Sequence, residues 1–254
     1  MRYDQVSMAP PLTKVTKLII IACVVSYFAG YVFENFHFVI AGASGQDFFG
    51  LVPKSVVHDF WLWQPITYLF LHGHPFHLLM NMLILWFFGS EIEMKMGERR
   101  FLFFFLLCGV GGAVANIAVS YLFFPARIAT TVIGASGAVY GILAAYGLFF
   151  RDRYLLLLFI FPVKAMYFAL IMFGLELAMG FQQKDLVAHF AHLGGLLAGG
   201  GYVYFKYFFH SGGGGKGRSR RDLEKEKLKR QFTLIVNESV DKSKEKENNG
   251  PFWN

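Results

Sequence analysis

The chain has 254 residues, of which 55% are hydrophobic and 16% are charged, and it contains 30 phenylalanines. A soluble domain of this length has too little interior to bury so much apolar surface, so the composition indicates an integral membrane protein. The net charge of +7 does not indicate a nucleic-acid partner, because the basic residues flank apolar segments, where they act as topology signals and contact anionic lipid.

Six apolar segments that approach or exceed the length needed to cross a bilayer follow one another along the chain. They lie at about residues 15–36, 75–90, 101–124, 135–150, 154–180 and 187–209. The fourth is short, and the fifth contains Pro162 and Lys164, so we expect its membrane-spanning part to start near Val163. The expected fold class is an all-α membrane protein, a bundle of six transmembrane helices.

The flanking sequences predict the organisation around these spans. Residues 1–14 form an N-terminal segment, 15–210 the six-span core with an external, aromatic-rich loop at 37–66, and 211–254 a flexible charged tail. Lys and Arg are concentrated in the termini and in the even-numbered connections, which predicts that both termini are cytoplasmic.

Polar residues inside apolar helices are costly to bury and therefore mark candidate functional positions. His77 and Asn81 share one face of the second span, Ser136 opens the fourth, and His192 lies near the start of the sixth. These three spans run in the same direction, and the fourth is only about 24 Å long against a hydrocarbon core of about 30 Å. The four residues are therefore predicted to lie at one depth, below the outer surface.

Small residues at a spacing of four predict that the fourth and sixth spans touch. Gly137 and Gly141 have this spacing in the fourth span, and Ala191, Gly195 and Gly199 continue it in the sixth. Such repeats let membrane helices pack backbone to backbone, which would bring the hydroxyl of the fourth span within hydrogen-bond reach of the imidazole of the sixth.

This constellation suits acyl transfer. A serine hydroxyl needs a base to become a nucleophile, and neutral histidine provides one. No Asp or Glu is found at the same depth, so we expect a dyad of Ser136 and His192 rather than a triad. His77, Asn81 and the backbone N–H of Ser136 are candidate donors to the oxyanion.

Two other kinds of site fit less well. A G-x-S-x-G nucleophile elbow requires Gly at position 138, which is Ala. A metal site would use the four histidines near the outer face, but no carboxylate accompanies them and no H-E-x-x-H occurs. These four histidines are His72, His74, His77 and His192. We expect neither a metal nor a cofactor.

Three stretches, "WQPITYLFLHGHPFHLLMN", "IGASGAVYG" and "AHFAHLGGLLAGG", resemble the motifs of rhomboid intramembrane serine proteases of the six-span prokaryotic type. The resemblance implies Ser136 as nucleophile and His192 as general base and acid. It also implies an oxyanion hole formed by His77 and Asn81 together with the backbone of Ala135 and Ser136.

The same resemblance implies supporting roles around the site. Tyr140 would pack beneath His192, and Gly134 would line the hole. Glu93 would be a structural hydrogen-bond acceptor, and His72 a structural residue. Where the family commonly has Trp-Arg in its first loop, this chain has Trp63-Gln64.

The expected function is a serine endopeptidase that cleaves transmembrane substrates near the outer membrane face, with membrane proteins and lipids as its partners. The expected location is the plasma membrane of a prokaryote. The alternative is a catalytically silent relative that binds and escorts membrane proteins. Ser44, in a second copy of the Gly-Ala-Ser-Gly tetrapeptide, is expected to be a solvated turn residue. The oligomeric state and the substrates stay open.

Overall fold

A computed structural model describes residues 10–35, 39–157, 161–179 and 186–209. Met1–Tyr207 form one compact unit, and Phe208–Asn254 form a second, which lies almost entirely outside the described residues. The predicted tail at 211–254 and most of the predicted N-terminal segment at 1–14 also lie outside them.

The first helix and the connecting region that follows it differ in character. Helix α1 (Lys14–Asn35) is long and regular, whereas the described residues 39–74 form only short elements. These are β1 (Val39–Ile40), β2 (Ala43–Ser44), α2 (Gly45–Phe49), α3 (Pro53–His58), α4 (Gln64–Thr67) and a 3₁₀ turn at Tyr68–Phe70. Strands β1 and β2 pair antiparallel. Aromatic residues of the predicted external loop cluster here: Phe48 packs against both Trp61 and Trp63.

The remaining helices correspond in order to the second to sixth predicted spans. The second is built from α5 (Pro75–Ile84), a π-helical turn (Leu85–Gly89) and α6 (Ser90–Met96), so it extends beyond the predicted end at residue 90. The others are α7 (Glu98–Phe123), α8 (Ser136–Phe149), α9 (Ala165–Met179) and α10 (Leu186–Val203), which continues as a π-helical turn at Tyr204–Phe209.

Among the described residues, three helical segments are long and apolar enough to cross a membrane: Lys14–Val32, Pro75–Met96 and Glu98–Phe123. Two shorter apolar helices, Ser136–Phe149 and Ala165–Leu175, accompany them. Large apolar side chains remain exposed on the outside, among them Phe28 at 62% and Leu122 at 73%. Such a surface suits contact with lipid, and the number of six crossings stays a prediction.

The apolar run at residues 154–180 is not helical in its first part, and its helix begins close to the expected start near Val163. Strand β3 (Tyr154–Leu157) pairs antiparallel with β4 (Phe161–Lys164), and α9 begins only at Ala165, two residues after the predicted start at Val163. Pro162 has no backbone N–H and disfavours helical geometry in the residue before it. The helix therefore starts only after the proline has been passed.

The centre of the bundle is formed by α10 against α7 and α8. Glycines allow the close approach, because side chains would collide at these positions. A Cβ on Gly195 would lie 1.9 Å from the carbonyl oxygen of Gly137, and one on Gly199 would lie 2.6 Å from the Cα of Gly141. The backbones of α8 and α10 are therefore in direct contact, which positions the start of α8 beside α10.

Glu93 ties α6 to the beginning of α1. Its carboxylate accepts hydrogen bonds from the backbone N–H groups of Val15 (2.9 Å) and Thr16 (2.8 Å). It also accepts from the hydroxyls of Thr13 and Thr16. The first N–H groups of a helix have no partner within the helix, so Glu93 caps α1 from another part of the chain.

Candidate active site

Ser136 is the first residue of α8, and the segment before it is held by the connecting region. The backbone N–H of Gly134 donates to the carbonyl of Tyr68 (2.9 Å), and Val132 pairs with Leu51 in an isolated bridge. Tyr68 is itself fixed, because its hydroxyl donates to the carbonyl of Gly109 on α7 (2.7 Å). The position of Ser136 therefore depends on α7 and on the connecting region as well as on its own helix.

The imidazole of His192 and the hydroxyl of Ser136 are in hydrogen-bond contact. The Nε2 atom of His192 lies 2.7 Å from the Oγ atom of Ser136, across 56 residues of sequence. When Nε2 is unprotonated, the hydroxyl donates and the imidazole accepts. This is the geometry in which a histidine can remove the proton of a serine nucleophile.

The ring of Tyr140 packs against one face of the His192 imidazole. Its ring stacks on that of His192 with the centroids 4.6 Å apart and the planes inclined by only 11°. Tyr140 is one helical turn beyond Ser136 on α8, so the same helix carries the hydroxyl and the stacking partner. The stack restricts rotation of the imidazole, which keeps Nε2 directed at the hydroxyl.

Gly134 makes room for His77 beside Ser136. A Cβ at Gly134 would lie 2.7 Å from Cε1 and 2.9 Å from Nε2 of His77, and 3.6 Å from Oγ of Ser136. The backbone of Gly134 also has φ +129°, a conformation that residues with a side chain rarely adopt. The ring of His77 therefore reaches the neighbourhood of Ser136 only because residue 134 is a glycine.

Asn81 lies one turn beyond His77 on α5. Its Nδ2 atom donates to the carbonyl of His77 (2.9 Å), and the residue is buried. An amide nitrogen carries two hydrogens, so this bond leaves one of them for another acceptor. The structure thus places Asn81 against the helix turn that carries His77.

The start of α8 offers further donors. Ala135 is fully buried at the N-cap position, and no described side chain caps this end of the helix. The leading N–H groups of a helix lack intrahelical partners and carry partial positive charge. The backbone beside Ser136 can therefore stabilise a negative oxygen.

His74 is a residue whose role the sequence alone did not reveal. It is the N-cap of α5, and its Nδ1 atom accepts a hydrogen bond from the backbone N–H of His77 (3.1 Å). The motif His-Pro-x-His contains a detectable signal, because a polar residue directly before a helix-starting proline is a common N-cap position. Histidine is an unusual cap, which is why the pattern was missed.

Two further histidines border the site. The ring of His72 packs edge-on against that of His77 with the centroids 5.2 Å apart, and the ring of His189 lies 6.1 Å from that of His192. Burial lowers the pKa of His72 to about 4, with the neighbouring His77 acting in the same direction and a hydrogen bond to the Phe70 carbonyl opposing both. His72 is therefore neutral at physiological pH.

Gln64 and Ser44 lie in the connecting region, away from the dyad. Gln64 is fully buried; its Oε1 accepts from the N–H of Val52 (2.9 Å), and its Nε2 donates to the carbonyl of Asp47 (2.8 Å). Ser44 is exposed and caps α2 by accepting from the N–H of Asp47 (3.1 Å). Of the two Gly-Ala-Ser-Gly copies, only the second places its serine beside a base among the described residues.

Comparison with known proteins identifies the family. A family model described as the rhomboid domain matches residues 59–209, more than half of the chain. The chain belongs to the rhomboid family. It is a membrane protein of a family that includes intramembrane serine proteases, and the matched region contains Ser136, His192, His77 and Asn81.

Several curated relatives resemble this rhomboid over its core. RHOMBOID-like protein 2 of Arabidopsis thaliana is 31% identical over 58% of this chain and 43% of the relative. The rhomboid protease GluP of Bacillus subtilis is 36% identical over 38% of this chain and 18% of the relative. The mitochondrial rhomboid protein 1 of Saccharomyces cerevisiae is 34% identical over 37% of this chain and 27% of the relative.

The matches to these relatives span less than half of their own length. The relatives come from a plant, a bacterium and yeast mitochondria. The similarity therefore supports a membrane protein and does not support the expected prokaryotic plasma membrane over other membranes.

Proposed function

We propose that this rhomboid is an intramembrane serine endopeptidase in which Ser136 is the nucleophile and His192 the general base and acid. The observation that carries the proposal is the 2.7 Å contact between His192 Nε2 and Ser136 Oγ. The family, which includes intramembrane serine proteases, and the stack of Tyr140 on the imidazole support it.

The reaction follows from these positions. Oγ of Ser136 attacks the carbonyl carbon of the scissile peptide bond, and its proton moves to Nε2 of His192. His192 then gives this proton to the leaving amine nitrogen as the C–N bond breaks, which leaves an acyl ester on Ser136. Water, deprotonated by the same Nε2, attacks the ester, and the proton returns to Oγ.

The developing oxyanion would be stabilised by three groups of donors. The backbone N–H of Ser136 lies at the start of α8, where no described side chain competes for it. The ring of His77 is adjacent through Gly134, and Asn81 retains one amide hydrogen beyond its bond to the His77 carbonyl. Each donor of this kind contributes about 10²–10³-fold to the rate in related chemistry.

Transmembrane proteins are the proposed substrates. The dyad is carried by helices in the middle of an apolar bundle, so a substrate helix would enter laterally, between the second and fifth spans, and unwind locally. The chain would cross the membrane six times as residues 15–210, with both termini cytoplasmic and residues 211–254 as a separate tail.

Substitution of the dyad tests the proposal. Ser136→Ala and His192→Ala, each purified in detergent and assayed on a single-span model substrate, should lower cleavage by at least about a thousandfold, because the two residues act as one unit. Ser44→Ala is the matched control, since it removes the serine of the other tetrapeptide copy and should leave cleavage unchanged. A dyad variant with full activity contradicts the assignment.

Active-site labelling separates this proposal from a silent, membrane-protein-binding role. A fluorophosphonate should label Ser136 in the unsubstituted chain and in Ser44→Ala, and it should not label Ser136→Ala. A folded protein that is never labelled would favour the silent role.

A further inference from the structure

The side chain of Thr131, five residues before Ser136, is bound by the connecting region. Its Oγ1 atom donates to a carboxylate oxygen of Asp47, which lies 84 residues earlier in the sequence. A hydrogen bond to a carboxylate is roughly twice as strong as one between neutral groups. The methyl group of Thr131 packs against Gly50, because a Cβ on this buried glycine would lie 2.7 Å from Cγ2 of Thr131. Both branches of the threonine side chain are therefore fixed.

Asp47 is itself held by all of its polar groups. Its second carboxylate oxygen, Oδ2, accepts from the hydroxyl of Ser44 (2.8 Å), and its backbone N–H donates to the same hydroxyl oxygen (3.1 Å). Its carbonyl accepts from Nε2 of the buried Gln64 (2.8 Å). Asp47 cannot shift without breaking several of these bonds, so it offers Thr131 an acceptor in a fixed place.

The segment that leads into α8 is held at three points. Val132 forms two backbone hydrogen bonds with Leu51, each 2.9 Å long. Both bonds join the same pair of residues, so this bridge alone would let the segment pivot. Contacts on either side of the bridge remove that freedom. They are the bond of Thr131 to Asp47 and the bond of the Gly134 N–H to the Tyr68 carbonyl.

We propose that Asp47 is a positioning residue for proteolysis, which acts through Thr131 to fix the orientation of the segment that ends at Ser136. The contact keeps Oγ of Ser136 in reach of the His192 imidazole, while the dyad itself carries out the chemistry. This inference rests on the proposed function, because it assigns Asp47 a part in that same reaction.

A pivot about Val132 is amplified towards the dyad. Residues of an extended chain are about 3.3 Å apart, so a movement of about 0.5 Å at Thr131 becomes roughly 1 Å at Gly134, two residues beyond the pivot. Little room exists there, since a Cβ on Gly134 would lie 2.7 Å from the ring of His77. Misplacement by about 1 Å can cost roughly a hundredfold in rate. The bond of Gly134 to Tyr68 opposes the movement, so we expect a loss of about tenfold.

A double-mutant cycle tests the proposal with a single-span substrate in detergent. Asp47→Ala and Thr131→Val each remove one side of the contact, and each should lower kcat about tenfold while KM changes by less than about twofold. The double variant should be no slower than either single variant, because the contact can be lost only once. Asp47→Asn keeps an acceptor and Thr131→Ser keeps a donor, so both should return kcat to within about threefold of the unsubstituted protein.

Ser44→Ala is the matched control for a general weakening of the connecting region. It removes the cap of α2 and the bond to Oδ2 of Asp47, but Gln64 still holds the backbone of Asp47 and Oδ1 still accepts from Thr131. Its kcat should stay unchanged. Thermal unfolding of every variant separates the two roles, because a purely structural role lowers cleavage only in proportion to the folded fraction.

Hydrogen exchange measures the positioning without reference to proteolysis. Amide exchange in a peptide that covers residues 129–136 should become at least about fivefold faster in Asp47→Ala and in Thr131→Val, because the segment opens more often once one of its contacts is lost. Exchange in this peptide should stay unchanged in Ser44→Ala. Exchange in α10, which carries the general base, should stay unchanged in all three variants.

Equal losses of kcat that do not add, together with recovery in the conservative variants, support the proposal. Unchanged kcat in Thr131→Val or additive losses in the double variant overturn it. If cleavage depends on Ser136 while neither kcat nor exchange responds to Asp47→Ala, this inference fails and the proposed function stands. If the unsubstituted protein does not cleave, the proposed function fails, and exchange alone decides whether Asp47 holds the segment. Should Asp47→Ala not fold, Thr131→Val compared with Thr131→Ser decides.

Discussion

Gly195→Ala is expected to separate the dyad although residue 195 takes no part in the chemistry. An alanine Cβ at this position would lie 1.9 Å from the carbonyl oxygen of Gly137, and real Cβ atoms essentially never come closer than 3.0 Å to a heavy atom. Backbone atoms cannot rotate away as a side chain can, so α10 has to move from α8 by about 1 Å.

This displacement is large compared with the tolerance of the site. His192 is three residues before Gly195 on the same helix, and its Nε2 lies 2.7 Å from Ser136 Oγ. A shift of this size would extend the contact to about 3.7 Å, which is outside the range of a hydrogen bond. Misplacement by about 1 Å can cost roughly a hundredfold in rate, and overpacking costs about 1–3 kcal/mol in the free energy of unfolding.

Cleavage of a single-span substrate and thermal unfolding, both in detergent, measure the two effects. Gly201→Ala on the same helix is the control; a Cβ there meets no described atom within 4 Å, and the change should stabilise the helix by up to about 1 kcal/mol. If Gly195→Ala keeps cleavage within about twofold of the unsubstituted protein, the direct backbone contact between α8 and α10 does not control the dyad, and the reasoning is refuted.

Two further substitutions test residues that cap helices: His74 at the start of α5 and Glu93 at the start of α1. His74→Ala removes the N-cap of α5 and should lower kcat about tenfold with little change in KM. His74→Asn restores an acceptor for the N–H of His77 and should recover most of the loss. Equal defects in both variants would contradict a capping role. Glu93→Gln replaces a carboxylate that accepts four hydrogen bonds and should lower the free energy of unfolding by about 2–4 kcal/mol in a mixed-micelle denaturation. The control for Glu93→Gln is Glu98→Gln. The ion pair of Glu98 with Lys14 is largely exposed and should contribute no more than about 1 kcal/mol to the free energy of unfolding. Comparable losses in both variants would refute the capping argument.

The sequence predicts the centre of the molecule well, because the relevant signals there are local and periodic. The spacing of small residues in the fourth and sixth spans indicates that these helices touch. The short length of the fourth span predicts that Ser136 lies below the surface, and the structure brings it to His192. These inferences need only helix geometry and hydrophobic length, both of which can be read from a single segment.

The parts that the sequence does not predict depend on contacts between distant segments. The hairpin at Tyr154–Leu157 and Phe161–Lys164 looks like helix by hydropathy, because apolar runs of strand and helix cannot be told apart by composition alone. The hydrogen bond from the N–H of Gly134 to the carbonyl of Tyr68 joins residues 66 positions apart, and no local sequence pattern predicts it. The imidazole cap at His74 was missed because histidine is rarely found in that position.

The cap on α1 has a consequence for how the protein is made. The backbone N–H of Val15 is satisfied by a side chain that lies 78 residues further along the chain. At a synthesis rate of about 5–20 residues per second, the first helix must wait roughly 4 to 16 s for Glu93 to emerge from the ribosome. During this interval the beginning of α1 has to find its hydrogen bonds in water or in lipid headgroups. The capping of α1 is therefore completed only after α6, which carries Glu93, has been synthesised.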